Sequence, residues 1–173
     1  MTASNTMRRA KIRREIEGYL ELGMPEQAQA ALARLGDPTG FDPHLLYLWG
    51  EALRAMERYD EALLPLGQAA DAMRDDVHVR LAMAWCYKRI GRIDRAIGAL
   101  EQALAVEPGD ALLRYNLACY WSLAGDLEQA LYYLSDALAI EPRYLGMIDD
   151  EPDFDPIRSD PDFRTLCAGV ELA

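Results

Sequence analysis

Alanine and leucine recur at a fixed step along most of this 173-residue chain. Around them, apolar residues follow the i, i+3, i+4 spacing of amphipathic helices, with polar residues between. The rows that keep a step of 34 residues are Ala28, Ala62, Ala96 and Ala130, then Leu32, Leu66, Leu100 and Leu134, then Ala69, Ala103 and Ala137. The pattern predicts four in-phase helical units over residues 9–142.

Helix start and stop signals divide each unit into two helices. Gly23, Gly91 and Gly125 mark three turns between paired helices, Pro25 suits a first helical position, and Asp60 reads as a helix cap. The predicted units are 9–42 (the least regular), 43–76, 77–110 and 111–144, with 145–173 as a separate C-terminal segment. The predicted helices run from about Thr6 to Leu22, Pro25 to Leu35, Pro43 to Glu57, Glu61 to Met73, Val77 to Ile90, Ile93 to Val106, Asp110 to Ala124 and Leu127 to Ile140.

The 34-residue step, the alanine and leucine rows, and the prolines that close the last two units resemble the tetratricopeptide repeat family. The resemblance covers more than three quarters of the chain. It implies an all-α fold, a right-handed α-solenoid of helix-turn-helix repeats with a C-terminal capping segment, forming one elongated domain. It also implies a non-catalytic adaptor or scaffold in protein–protein interactions.

Packing within a unit follows from the same spacing. A stripe formed by Trp49, Gly50 and Leu53, and its equivalents 34 and 68 residues later, should face the alanine and leucine rows of the partner helices. Small residues in these stripes allow two helix axes to approach closely. This interpretation assigns Trp49 and Trp121 to the core.

The remaining face of each first helix is the one that lines a peptide-binding groove in the family. Carried over to this chain, it implies binding of a protein or peptide partner with acidic groups and an apolar anchor. The alternative is that these aromatic residues pack between repeats and the cations are solvated. The implied peptide-binding residues are Tyr47, Arg54, Trp85, Lys88, Arg89, Tyr115 and Asn116.

The sequence lacks the residues that a carboxylate clamp, a metal site or a catalytic site would require. Tyr47 and Glu51 stand where a carboxylate clamp for chaperone tails would have lysine and asparagine, so that variant of the groove is not expected. His44 and His78 are interpreted as surface histidines, because two imidazoles without a third ligand make a weak metal site. No nucleophile elbow, phosphate-binding loop or metalloprotease motif is present. We predict no enzymatic activity, no cofactor and no metal.

The net charge of −11 disfavours nucleic acid and anionic membrane surfaces as partners. No apolar run reaches the length of a membrane span, and the first residues are polar and then basic, so a cytoplasmic location is expected. Three unclustered cysteines suggest neither a disulfide framework nor a zinc site. The alanine- and arginine-rich composition indicates a bacterial-type protein.

The C-terminal segment departs from the repeat. Residues 149–166 contain two copies of an acidic-proline-Asp-Phe element and resemble an end-of-group segment that closes certain bacterial repeat arrays. Asp155 and Asp160 each read as a helix cap before a proline. The acidic cluster is not predicted to bind calcium, because the glycine and terminal glutamate of a helix-loop-helix calcium site are missing. The residues predicted to cover the last repeat are Phe154, Ile157, Phe163 and Leu166.

Charge is divided between the ends of the chain. Residues 8–14 are basic, whereas residues 149–173 carry eight acidic and two basic side chains, a net of −6. This division leaves self-assembly of a scaffold, or a weak homo-oligomer, as one alternative function. A second alternative is a secretion chaperone similar to class II chaperones of type III secretion, although their dedicated tail and dimerising N-terminal helix are not recognisable here.

Overall fold

The computed structural model describes residues 3–171, and the side chains of residues 7–169. All regular structure in this range is helical, as predicted. Short 3₁₀ turns cover Pro38–Gly40, Pro142–Met147 and Pro152–Phe154. The α-helices of the described range are α1 (Ala3–Glu21), α2 (Pro25–Ala33), α3 (Pro43–Ala55), α4 (Tyr59–Ala72), α5 (Val77–Arg89), α6 (Ile93–Val106), α7 (Ala111–Ala124), α8 (Leu127–Ile140) and α9 (Pro161–Glu171).

The capping signals place most helix starts correctly. Asp42 and Asp110 accept hydrogen bonds at 3.0 Å from the backbone N–H groups of Leu45 and Leu113, and α6 and α8 have the predicted bounds. The prediction for Asp60 was wrong, since α4 begins at Tyr59 and Asp60 lies inside its first turn. The tight turn that ends α3 brings the chain into α4 earlier than a side-chain cap at position 60 would allow.

The chain divides into two compact units, Met1–Ile90 and Gly91–Ala173. The boundary falls inside the predicted repeat 77–110, between its two helices, and not at a predicted repeat boundary. Within unit one, α5 contacts α3 and α4, and within unit two, α6 contacts α7. Residues 1, 2, 172 and 173, which the predicted segments 1–142 and 145–173 include, lie outside the described residues.

Unit one is built on the predicted rows of small residues. Ala28, Ala62 and Leu66 are fully buried. A Cβ atom added at Gly50 would lie 2.4 Å from the Leu66 Cγ atom, so α3 and α4 approach too closely for any side chain at position 50. The half-buried Trp49 packs edge-on against Phe41, with ring centroids 6.2 Å apart.

Unit two repeats this arrangement and adds the C-terminal segment. Ala96 and Leu100 of α6 and Ala130 and Leu134 of α8, which belong to the predicted rows, are fully buried. Phe154 is fully buried and packs against Tyr115 of α7 and Phe163 of α9, with ring centroids 5.7 and 5.5 Å apart. Ile157 and Phe163 are also buried and Leu166 is half-buried. The segment after α8 therefore packs on α7 and α8: Pro142–Met147 and α9 contact α8, and Pro152–Phe154 contacts α7.

The caps of this segment differ from the prediction at one position. Asp160 does cap α9, accepting a hydrogen bond at 2.8 Å from the N–H of Asp162. Asp155 does not cap a helix and instead accepts a hydrogen bond from Arg158 Nε at 3.0 Å. The cap before proline is Glu151, which accepts from the N–H of Asp153 at 3.1 Å, because the 3₁₀ turn begins at Pro152 and not at Pro156.

Two kinds of site are absent from the residues that the structure describes. None of their helices is both long and apolar enough to cross a bilayer. None of their His, Cys, Asp and Glu side chains form a group of three or more that could hold a metal ion. His44 instead lies 2.9 Å from Glu17 of α1, measured from Nε2 to Oε1, and His78 is exposed.

Candidate functional site

The last two turns of α5 carry an exposed aromatic residue among cations. The Trp85 side chain is 41% exposed, which is unusual for tryptophan. Lys88 lies one turn further along, and its Nζ atom is 5.2 Å from the centre of the indole ring. Arg89 stacks over the ring of Tyr59, at 5.3 Å from Cζ to the ring centre. We call Tyr59, Trp85, Lys88 and Arg89 the α5 surface.

Buried residues that flank Trp85 along α5 fix this surface in position. Ala82, Ala84 and Cys86 are buried and anchor the helix in unit one. Burial raises the pKa of the Cys86 thiol to about 12, so this cysteine is a packing residue and not a nucleophile at neutral pH. The two cations also lie in the last turn of α5, where positive charge is favoured by the helix dipole.

Arg54 and Tyr47 of α3 make contacts within unit one. Arg54 donates two hydrogen bonds of 2.8 Å to the carboxylate of Glu51, an interaction that raises the pKa of Arg54. Its charge is therefore already balanced within the chain. Tyr47 is half-buried and packs against a buried cluster that includes Leu46 and Val79, and burial raises the pKa of its phenol to about 12. Both side chains therefore interact with other residues of unit one, and their role in binding stays a prediction.

Tyr115 of α7 is a core residue and not a surface residue. Its side chain is 2% exposed and contacts the rings of Tyr144 and Phe154, with centroids 5.1 and 5.7 Å away. Burial raises the pKa of its phenol. The C-terminal segment folds over this face of α7 and covers the tyrosine, which leaves no side-chain surface for a peptide. Asn116, its neighbour, remains half-buried.

Tyr59 belongs to the α5 surface but was not predicted from the sequence. It is the first residue of α4, and Ile93 and Leu127 occupy the equivalent places of α6 and α8. The repeat pattern marks this place as apolar. The aromatic residue at position 59 is the sequence feature that could have predicted this contact, because only an aromatic ring there can stack with the arginine that ends α5.

Comparison with known proteins identifies the repeat. Residues 53–118 match the family model described as tetratricopeptide repeat. A double mutant of MamA from RS-1 is similar in structure, with a TM-score of 0.76 and 20% identity over 99% of this chain and 97% of that one. MamA from Desulfovibrio magneticus RS-1, residue 41 to the end, gives a TM-score of 0.71 at 20% identity over the same shares.

A third solved structure is described as YrrB, a tetratricopeptide repeat protein with an unusual peptide-binding site. It has a TM-score of 0.69 and 23% identity, covering 78% of this chain and 70% of that one. Among curated protein sequences, none matches this chain. At these identities the structural likeness shows the fold, and the match to the repeat family is limited to residues 53–118. Residues 53–118 thus match the tetratricopeptide repeat, and the chain has the α-solenoid fold of these solved structures.

Proposed function

We propose that this protein is a non-catalytic adaptor or scaffold whose α5 surface binds a peptide segment with acidic side chains and an apolar anchor. The observation that carries the proposal is the exposed indole of Trp85 with the Lys88 ammonium 5.2 Å from its ring. YrrB is described as having a peptide-binding site, which supports the proposal that a surface of this fold can bind a peptide. A bacterial-type cytoplasm is the proposed setting.

The chemistry of the surface favours such a partner. Covering the exposed indole with an apolar side chain removes apolar surface from water and so favours binding. Tryptophan and arginine are also among the residue types enriched at binding hot spots. Lys88 and Arg89 would meet carboxylates at the edge of the contact, where opposite charge mainly speeds association and selects the partner. Arg54 is bound to Glu51 and is not counted among these cations.

The test is a fluorescence anisotropy titration with a labelled octapeptide that alternates aspartate or glutamate with leucine and phenylalanine. Trp85→Ala should weaken binding by about 2 kcal/mol, roughly 30-fold. The charge reversal of Lys88→Glu with Arg89→Glu should weaken it in a salt-dependent way. A peptide with glutamine and asparagine in place of the acids should bind more weakly and without that salt dependence.

Matched variants separate binding from folding. Tyr132→Ala removes another exposed aromatic side chain, and Arg8→Glu with Arg14→Glu reverses two other exposed cations; neither should change the affinity. Trp49→Ala should unfold the chain more readily, by roughly 3 kcal/mol, since its ring packs against Phe41. The proposal fails if Trp85→Ala melts as low as Trp49→Ala, or if Tyr132→Ala weakens binding equally.

A further inference from the structure

A pocket in unit two lies between α6 and α7, and no predicted site residue belongs to it. Its volume is about 330 Å³. Four lining residues of α6 follow the i, i+3, i+4, i+7 spacing of one helical face. The residues that line this α6–α7 pocket are Asp94, Ile97, Gly98, Glu101, Trp121 and Ala124.

The walls of the pocket suit a side chain with an aliphatic stem. Ile97 and Ala124 offer apolar surface, and Trp121 adds the face of a half-buried indole. A Cβ atom added at Gly98 would meet nothing within 4 Å outside its own helix, so this glycine leaves space open where most residues would fill it. The Trp121 Nε1 atom is buried with no hydrogen-bond partner among the described residues.

Both charged side chains that line the pocket are acidic. Asp94 and Glu101 are exposed on either side of Gly98, about 10 Å apart along the helix at 1.5 Å per residue. Unit two as a whole carries 16 acidic and 6 basic side chains, a net of −10, whereas unit one carries 13 acidic and 12 basic, a net of −1. The field at the pocket therefore attracts cations.

We propose that the α6–α7 pocket binds an arginine side chain from a cationic segment of a partner protein. The aliphatic stem would lie against Ile97 and Ala124, and the planar guanidinium would stack on Trp121 and donate to Asp94 or Glu101. This chain already uses the same contact internally, where cations lie over Trp85 and Tyr59. The pocket would thus select a partner of opposite charge to the one proposed for the α5 surface.

The experiment follows the indole N–H signals of the ¹⁵N-labelled full chain by NMR, each assigned with a Trp→Phe variant. The probe is a blocked pentapeptide with two arginines and three alanines, and the control is the same peptide with citrulline in place of arginine. The arginine peptide should shift the Trp121 signal in a saturable way and leave Trp85 unshifted. The citrulline peptide, which lacks the charge, should shift neither.

Variants test the pocket without removing a core residue. Gly98→Leu should fill the pocket and weaken binding at least about tenfold while keeping or raising the melting temperature, because leucine is the better helix former. Gly67→Leu is the matched control, a glycine inside α4 whose added Cβ also meets nothing within 4 Å. Asp94→Asn with Glu101→Gln should weaken binding about tenfold at low salt and less at high salt.

Four results would overturn the proposal. They are an equal response to citrulline, an unshifted Trp121 signal, an equal loss with Gly67→Leu, and a Trp121 shift that appears on concentrating the protein alone, which would make a second copy the occupant. Binding at the α5 surface is read separately, from Trp85 and the acidic peptide. Failure of one proposal therefore leaves the other standing.

Discussion

Glu57 occupies a left-handed backbone conformation that glycine takes elsewhere in this chain. Its φ of 59° is the one positive value among the non-glycine residues that the structure describes. Gly23, Gly91 and Gly125, at steps of 34 residues from it, have φ values of 66°, 75° and 79°. The N–H of Arg58 closes the turn by donating to the Leu53 carbonyl at 2.9 Å. Glu57 is therefore a glutamate at a glycine position of the repeat.

The strain at this position predicts a stabilising substitution. Glu57→Gly should raise the free energy of unfolding by up to about 1 kcal/mol, because a left-handed conformation costs roughly 1–2 kcal/mol for residues with a Cβ atom. The reverse change, Gly91→Glu, should lower it by about the same amount. Urea denaturation of both variants measures these effects. A destabilised Glu57→Gly protein would contradict the account.

Gly50 and Gly67 give a second prediction at the residue scale, since both lie inside helices but differ in their surroundings. A Cβ at Gly50 would lie 2.4 Å from the Leu66 Cγ atom, whereas one at Gly67 meets nothing within 4 Å. Gly50→Ala should therefore lower stability by about 1–3 kcal/mol. Gly67→Ala should raise it by up to about 1 kcal/mol. Equal effects in thermal melts would show that the close contact of α3 and α4 is not tight in solution.

At the scale of elements, the sequence predicts the helices well because their signals are local. The bounds of α6 and α8 follow from the repeat spacing alone. Where the prediction fails, a competing contact decides. Asp155 reads as a cap before a proline, but its carboxylate pairs with Arg158.

Tyr115 shows the same limit at the candidate site. Spacing along α7 groups it correctly with one helical face, yet no spacing rule indicates that Phe154 of a later segment covers that face. Trp85 is exposed as predicted, because no such segment packs over it among the described residues. Whether this face of α5 binds a peptide depends on the partner as well as on this chain, so the binding role of Trp85 stays a prediction.

The C-terminal segment itself is open to a test. Deleting residues 149–173 should expose apolar surface around Tyr115, lower the melting temperature and promote aggregation. Arg158→Ala is the milder variant, because Arg158 donates to the carbonyls of Ile148 and Glu151 at 3.1 and 2.8 Å and so holds two turns together. Arg95→Ala, which removes an exposed arginine of α6 outside this segment, serves as its control. Unchanged melting and monodispersity after the deletion would identify the segment as a loose appendage.

At the scale of the whole molecule, charge is distributed unevenly between the two units. Unit two carries a net of −10 and unit one a net of −1, although the N-terminal helix is basic. Part of that basic charge is used within unit one: Arg13 pairs with Asp42, and Arg9 donates to the Gly40 carbonyl. The cations available for an acidic segment are thus fewer than the sequence count suggests.

This distribution predicts that the protein is monomeric. Two copies repel each other through a net charge of −11 each, and the arginines that could attract an acidic end are partly occupied by internal partners. Light scattering should give the 19.4 kDa monomer mass at both about 20 mM and about 500 mM salt, since screening only weakens a repulsion that already keeps copies apart. An end-to-end polymer would show a larger mass at low salt that falls as salt is added. That outcome would favour a self-assembling scaffold, and Arg8→Glu with Arg14→Glu should then restore the monomer if the basic end of the chain makes the contact.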